Sequence, residues 1–282
     1  MKKILVTGAN GQLGSELRDI YANSEYELFF LDRKQLPLDK IEIIQDILGM
    51  YEPDYIIHGA AYTAVDKAES ESDIAYTVNN LATEEIAQYC RIHGAKLIAI
   101  STDYVFDGES STPLKEDAEV SPINTYGDSK LKGEEAIMKW APDSIIIRTS
   151  WVYSYYGNNF VKTMLRLMSE REEISVINDQ IGSPTYARDL GLAIYSIIES
   201  RVWMPGVYNY SNEGQLSWYD FAVAIKELAG LDCKINAIPT EQYPTPAKRP
   251  KYSLLDKQKI REAYQLEIPN WKDSLRLMMN RL

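Results

Sequence analysis

A glycine-rich turn set directly behind a short apolar run constrains this chain more than any other feature. Lys3-Ile4-Leu5-Val6-Thr7 passes straight into Gly8-Ala9-Asn10-Gly11-Gln12-Leu13-Gly14, and Ser15-Glu16-Leu17-Arg18 continues as helix. The apolar run suits a parallel strand buried on both faces. Glycines at Gly-x-x-Gly-x-x-Gly spacing permit a tight turn, close approach of backbone to a pyrophosphate, and close helix–strand packing, with the helix N-terminus facing the anion. The spacing is not the G-x-G-x-x-G of the standard dinucleotide fingerprint, and an ordinary flexible turn would carry glycines too. A second strand, Glu27-Leu28-Phe29-Phe30-Leu31, ends at Asp32. That is close to the separation of about 20 residues at which an acidic side chain reaches the adenosine ribose. Together the two features predict a nucleotide-binding fold.

The rest of the first half alternates strand and helix. Residues 54–58 read as a third strand leading into the small-residue turn Gly59-Ala60-Ala61-Tyr62. Residues 74–92 read as a helix with polar interruptions at Thr77, Asn79 and Asn80. Residues 96–101 form a fourth strand, 126–140 a helix and 144–149 a fifth strand. This rhythm predicts an α/β fold, a Rossmann-like doubly wound parallel sheet with its ligand at the carboxyl ends of the strands. After Trp151 the pattern loosens. Residues 178–185 read as a loop, 189–200 as an apolar helix returning to the sheet, and 239–250, with four prolines, as irregular. The domains expected are a dinucleotide-binding unit over 1–150 plus about 186–203, and a smaller, interleaved C-terminal substrate lobe over 151–185 and 204–282.

Composition narrows the class. A chain of 282 residues, 45% hydrophobic, buries a sizeable core. No apolar stretch has the length of about 18 residues that a membrane span needs, and the strand-like N-terminus lacks a signal-peptide pattern, so a cytoplasmic protein with no membrane partner is expected. The net charge of −11, without a basic run, argues against a nucleic-acid partner. Two cysteines, Cys90 and Cys233, are too few for a disulfide framework, and His58 and His93 supply no Cys/His cluster for a metal.

The candidate chemistry lies at Tyr126-Gly127-Asp128-Ser129-Lys130, downstream of Ser101-Thr102-Asp103-Tyr104. One helical turn puts the Tyr126 phenol and the Lys130 ammonium on the same face, where the ammonium favours the phenolate and lowers its pKa. Thr102 can hold the substrate oxygen that Tyr126 protonates. The spacing alone is weak, because in a chain with 20 tyrosines it recurs by chance, and a surface tyrosine beside a solvated lysine satisfies it as well.

With these motifs the chain resembles the extended short-chain dehydrogenase/reductases acting on nucleotide sugars, and among them the dTDP-4-dehydrorhamnose reductase family. The resemblance rests on residues 7–14, the Tyr126/Lys130 pair, and the blocks at 60–69, 101–106, 148–153, 177–180, 182–185 and 243–250. It implies NAD(P)H-dependent reduction of the C4 ketone of dTDP-4-dehydro-6-deoxy-L-mannose to dTDP-L-rhamnose, the last step of dTDP-rhamnose biosynthesis. Tyr126 would donate the proton, Thr102 orient the ketone, and Lys130 lower the tyrosine pKa and bond the nicotinamide ribose. The cofactor, NADP(H) or alternatively NAD(H), is expected on Gly8, Asn10, Gly11, Gln12, Leu13, Gly14, Asp32, Arg33, Leu38, Asp39, Gly59, Ala60, Ala61, Tyr62, Asn79 and Ser101, besides Tyr126 and Lys130. Asn79 corresponds to a helix asparagine that relatives use either structurally or in proton relay.

The dTDP-sugar is expected against Thr63, Val65, Thr102, Asp103, Tyr104, Trp151 and Arg249. Trp151 would pack on the sugar ring unless it is a core residue, and Arg249 would pair with the diphosphate unless it is a surface arginine. Arg33, with Lys34, would read a 2′-phosphate while Asp32 swings aside, which favours NADPH; solvated cations are the alternative. Some bacterial members dimerise through a metal bound by acidic residues. Arg188 stands near one of those positions, so no metal is expected here, and the chain should be a monomer or homodimer. Relatives that lost catalysis and serve as a regulatory subunit, like that of methionine adenosyltransferase, are one alternative; another nucleotide-sugar reductase or epimerase is a second.

Overall fold

The computed structural model describes residues 1–200 and 202–282. In the first half β1 (Lys3–Thr7), α1 (Gln12–Tyr21), β2 (Glu27–Leu31), α2 (Ile44–Tyr51), β3 (Tyr55–His58), α3 (Val65–Ala68), α4 (Ser72–Tyr76), α5 (Ala82–His93), β4 (Lys96–Thr102), α6 (Thr125–Trp140) and β5 (Ile145–Thr149) follow one another. The second half adds β6 (Val152–Tyr153), α7 (Phe160–Glu170), β7 (Glu173–Ile177), β8 (Ile181–Gly182), β9 (Thr185–Tyr186), α8 (Ala187–Glu199) and β10 (Gly206–Tyr210). It closes with β11 (Leu216–Ser217), α9 (Trp218–Ala229), β12 (Lys234–Ile238), α10 (Gln258–Tyr264) and α11 (Trp271–Met279).

The main sheet has six parallel strands in the order β2-β1-β3-β4-β5-β10. Strand order reverses between β1 and β3, which opens a crevice at their carboxyl ends. The strands read as continuous apolar runs because both faces are covered. Ile4, Val6, Ile57, Ile98, Ile145 and Ile147 pack under α1 and α8, while Leu5, Ile56, Leu97, Ala99 and Ile146 pack under α2, α5 and α6. The Rossmann-like fold expected from the sequence is therefore present.

Differences from the sequence reading are local. The helix expected over 74–92 is broken by a π turn at Thr77–Leu81, where the polar interruptions fall. Two-residue strands β8 and β9 occupy the stretch read as loop, and a single 3-10 turn, Thr240–Gln242, interrupts the proline-rich stretch. The sixth sheet strand, β10, comes from inside the segment assigned to the lobe. Its sequence, Gly206-Val207-Tyr208-Asn209-Tyr210, lacks the aliphatic density of the other strands because it lies at the sheet edge. The remaining lobe has its own core, with Val161, Met164, Ile174, Val176, Phe221, Ile225 and Leu275 packing around the β7–β12 pair. Among the described residues no helix is long and apolar enough to cross a membrane.

Candidate active site

A cleft of about 810 Å³ runs across the carboxyl ends of the sheet strands, walled by residues from both halves of the chain. Its size is that of a site for large organic ligands. Gly8, Gly59, Thr102 and Thr149, each at or just after a strand end, all line it.

The glycine turn forms one wall. Gly8 and Ala9 donate to the Leu31 carbonyl at 3.1 Å each, which folds the turn over the end of β2. Gly14 belongs to packing and does not line the cleft. A Cβ there would sit 2.3 Å from the Gly8 carbonyl oxygen, so α1 seats against the turn only with glycine. Gly11 precedes α1 without any side-chain cap, which leaves first-turn amides free for an anion. Asp32 sits beyond, its carboxylate accepting from the Lys34 and Gln35 amides at 2.8 and 3.1 Å and from Asn10 Nδ2 at 3.3 Å. Those bonds, the Gln35 amide first and the Lys34 amide next, hold its pKa below the usual carboxylate range. Arg33 is 82% exposed on the rim, 3.4 Å from Asp39. Leu36, Leu38, Ala60, Ile74 and Val78 supply an apolar patch on the same side.

The opposite end carries the polar chemistry. Asn124 caps α6 by accepting from the Gly127 amide at 2.8 Å and donates to the Lys248 carbonyl at 2.8 Å, fixing the helix start. The helix then presents Tyr126 and Lys130, both buried, to the cleft floor. Thr102, at the end of β4, donates to Asp103 Oδ1 at 3.1 Å and accepts from the Tyr104 amide at 3.2 Å. Tyr104 meets the Tyr126 ring edge-on at 5.6 Å. Burial pushes the Tyr126 phenol up to about 12, with the Thr102 hydroxyl pulling the other way and Asp103 adding to the rise. The sequence reading made Lys130 the group that lowers this phenol; here its ammonium donates to the Ile100 carbonyl at 2.8 Å instead. Burial lowers Lys130 itself to about 8, against the opposing pull of Glu134. A phenol with so high a pKa stays protonated at neutral pH, the state a proton donor needs. Asp103, fully buried, is raised to about 6 by desolvation, against the pull of the Ser253 and Thr102 hydroxyls.

Most of the expected site residues come together here. Asn10, Gln12, Leu13, Asp39, Ala61, Tyr62, Thr63, Val65, Ser101, Asp103 and Tyr104 all line the cleft. Trp151 does too, with φ of 47°, a left-handed conformation costly for a side chain, and its ring stacks on Trp218 at 3.7 Å. Asn79 does not reach the cleft. It is fully buried, accepting from the Tyr62 amide at 2.8 Å and donating to the Tyr62 carbonyl at 3.1 Å and to Ser129 Oγ at 2.9 Å. Arg249 also lies off the cleft wall, forked onto Asp66 through two bonds of 2.8 Å. Gly157 and Asn158 line the cleft but were missed. Their one local signal is Asn159, which caps α7 and donates to Gln12 Oε1 at 3.0 Å, drawing this loop over the glycine turn. Arg188, on α8, pairs with the buried Glu16 at 3.5 Å, and Arg281 with the same carboxylate at 2.7 Å. No group of three or more His, Cys, Asp or Glu able to hold a metal occurs among the described residues.

A doubly wound parallel sheet with a glycine turn at its first strand, and a Tyr-x-x-x-Lys helix facing a strand-end threonine, define the short-chain dehydrogenase/reductase class. Within it the chain belongs to the family described as RmlD substrate binding domain, which it matches over residues 1–282. It is 42% identical to the spore coat polysaccharide biosynthesis protein SpsK of Bacillus subtilis, over 98% of this chain and 96% of that one. It is 41% identical to the dTDP-4-dehydrorhamnose reductase of Aggregatibacter actinomycetemcomitans, over 98% of each. The crystal structure of dTDP-4-dehydrorhamnose reductase from Bacillus anthracis in complex with NADP superposes with a TM-score of 0.96 at 42% identity, covering 100% of both chains.

Proposed function

We propose that this chain reduces the C4 ketone of dTDP-4-dehydro-6-deoxy-L-mannose to give dTDP-L-rhamnose, using NADP(H) or alternatively NAD(H). The observation that carries this reading is the meeting of Thr102, Tyr126 and Lys130 on the floor of one cleft whose other end is the glycine turn. The cleft fits a dinucleotide: the uncapped start of α1 suits a pyrophosphate, the patch around Leu38 and Val78 an adenine, and Asp32 a ribose hydroxyl.

When bound, the cofactor supplies the hydride. Reduction of a ketone builds negative charge on its oxygen, which calls for a positioned proton and a hydrogen-bond donor. Tyr126 donates the proton from its phenol. Thr102 would orient the ketone oxygen by turning its one hydroxyl hydrogen from Asp103 to the substrate, while the Tyr104 amide keeps the threonine oxygen in place. Lys130, held at the Ile100 carbonyl through one N–H, keeps two further N–H groups for ribose hydroxyls. Thr63, Val65 and Trp151 border the sugar. Arg249 acts through its bridge to Asp66, joining the first turn of α3 to the proline-rich segment. The chain would work in the cytoplasm as a monomer or homodimer, with a dTDP-sugar as its partner, in supply of rhamnose for cell-surface polysaccharide. Incubating the purified protein with the ketosugar and NADPH tests the reading. Cofactor oxidation with dTDP-L-rhamnose as product is expected; no oxidation with this sugar, or an epimerised ketosugar as product, would overturn it.

A further inference from the structure

Behind the cleft floor lies a string of buried polar groups that the chemistry above does not use. The Ala60 amide donates to Thr7 Oγ1 at 3.1 Å. Thr7 Oγ1 lies 2.9 Å from His58 Nδ1, and His58 Nε2 lies 3.2 Å from Thr83 Oγ1. Thr83 Oγ1 then donates to the Asn79 carbonyl at 2.9 Å. A hydroxyl has one hydrogen, and Thr83 gives its own to Asn79. His58 Nε2 must therefore carry the ring proton and donate to Thr83, which leaves Nδ1 as the acceptor of the Thr7 hydroxyl. Every donor in the string has one acceptor only in this arrangement.

The two ends of the string are the two halves of the site. Thr7 ends β1 directly before the glycine turn, and Ala60 lies in the turn after β3; both turns line the cofactor end of the cleft. Asn79 sits in the π turn, holding Tyr62 through its side chain and pressed by α6: a Cβ on Gly133 would lie 2.3 Å from the Asn79 carbonyl oxygen. Gly133 lies on the helix that carries Tyr126 and Lys130. A small cavity touches His58, Asn79, Thr83, Ser101, Lys130 and Glu134, so the imidazole faces one ammonium and one carboxylate. Glu134 is already forked onto Arg148 at 2.7 Å, which leaves His58 no free counter-charge. Full burial and the Lys130 ammonium lower the His58 pKa to about 3.

We infer that His58 is a positioning residue of the reductase, a neutral Nε2–H imidazole that ties the Asn79 carbonyl behind Lys130 to the Ala60 amide at the cofactor turn. The inference rests on the reaction proposed above, but its first test does not need that reaction. With only two histidines in the chain, ¹⁵N-edited spectra of the imidazole rings resolve both, and a His93→Gln variant assigns them. His58 should display a protonated Nε2, an unprotonated Nδ1, and no titration across the neutral range. A His58 that titrates near its ordinary pKa, or carries its proton on Nδ1, overturns the inference.

The second test separates the two arms. Thr7→Val removes the Ala60 arm and should weaken NADPH binding by up to roughly tenfold, with kcat little changed. Thr83→Val removes the Asn79 arm and should lower kcat by a similar factor, leaving NADPH affinity intact; each figure is about that of one buried hydrogen bond. His58→Leu should do both, and His58→Gln, which keeps a donor, should recover part of kcat. If His58→Leu does not fold, the two threonine variants decide. Variants that bind NADPH and turn over like wild type, differing only in melting temperature, would reduce His58 to a packing residue. A wild-type protein inactive on the ketosugar counts against the proposed reaction instead, and leaves the ring spectra and NADPH affinities to judge the string.

Discussion

Arg249 and Asp66 stand far apart in the chain yet meet fork to fork, Nη1 and Nη2 of the guanidinium each donating to one carboxylate oxygen at 2.8 Å. The Ala247 amide also donates to Asp66, at 3.2 Å, so the carboxylate takes hold of the whole turn before Pro250. The start of α3, whose residue Val65 and neighbour Thr63 line the cleft, is thereby fastened to the proline-rich segment. Three of the five guanidinium N–H groups are spent in this way, two on Asp66 and one on the Ala247 carbonyl.

If the bridge is what matters, Asp66→Asn should copy Arg249→Met. Both should raise KM for the dTDP-sugar by several-fold while NADPH affinity holds, since a half-exposed bidentate pair is worth about 1 kcal/mol. Steady-state kinetics on both variants and on the charge swap Asp66→Arg/Arg249→Asp would check this. An Arg249→Met effect that Asp66→Asn fails to reproduce would return the arginine to the substrate.

Asp103 gives a prediction in pH. Its folded pKa, raised by burial to about 6, lies above the unfolded value of about 3.9, so between the two the folded state binds more protons and stability falls as pH rises. Above pH 6 the folded protein carries the full cost of a buried carboxylate, on the order of 3 kcal/mol. Asp103→Asn, whose carbonyl can still accept from Thr102, should therefore raise the melting temperature at pH 8, with the gain shrinking towards pH 4. Melting curves of both proteins across that range would check it, and a gain that grows towards acid pH would contradict the sign.

Much of the fold was legible because its signals are local. The apolar runs, the glycine turn and the Asn124-capped helix with Tyr126 and Lys130 each declare themselves within a few residues. Less could be read where a residue's role is set by a distant partner. Nothing near Arg249 announces Asp66, and nothing near Asn79 tells that its amide is spent on Tyr62 and Ser129 rather than on a ligand. The pKa of Tyr126 was misjudged for a related reason. The spacing to Lys130 is a helix property, but the Ile100 carbonyl that occupies the ammonium belongs to β4.

Arg33 is the residue expected to set the cofactor preference. With Asp32 tied to the Lys34 and Gln35 amides, the cations at this rim are Arg33, 3.4 Å from Asp39, and Lys34. Arg33→Ala should lower kcat/KM with NADPH by about tenfold and leave NADH nearly unchanged, as expected for one charge-assisted contact to a phosphate. Measuring both cofactors on wild type and variant would check it; an unchanged NADPH/NADH ratio would mean Arg33 does not read the 2′-phosphate.

The most direct measurement compares turnover of the ketosugar by wild type and Tyr126→Phe, with NADPH affinity measured alongside. Loss of a positioned proton donor costs a factor of roughly 10² to 10⁴. A fall of that size in kcat, with the protein folded and NADPH bound as tightly as before, is the predicted result. A Tyr126→Phe enzyme that reduces the ketosugar at near wild-type rate would contradict the assignment of Tyr126 as the proton donor.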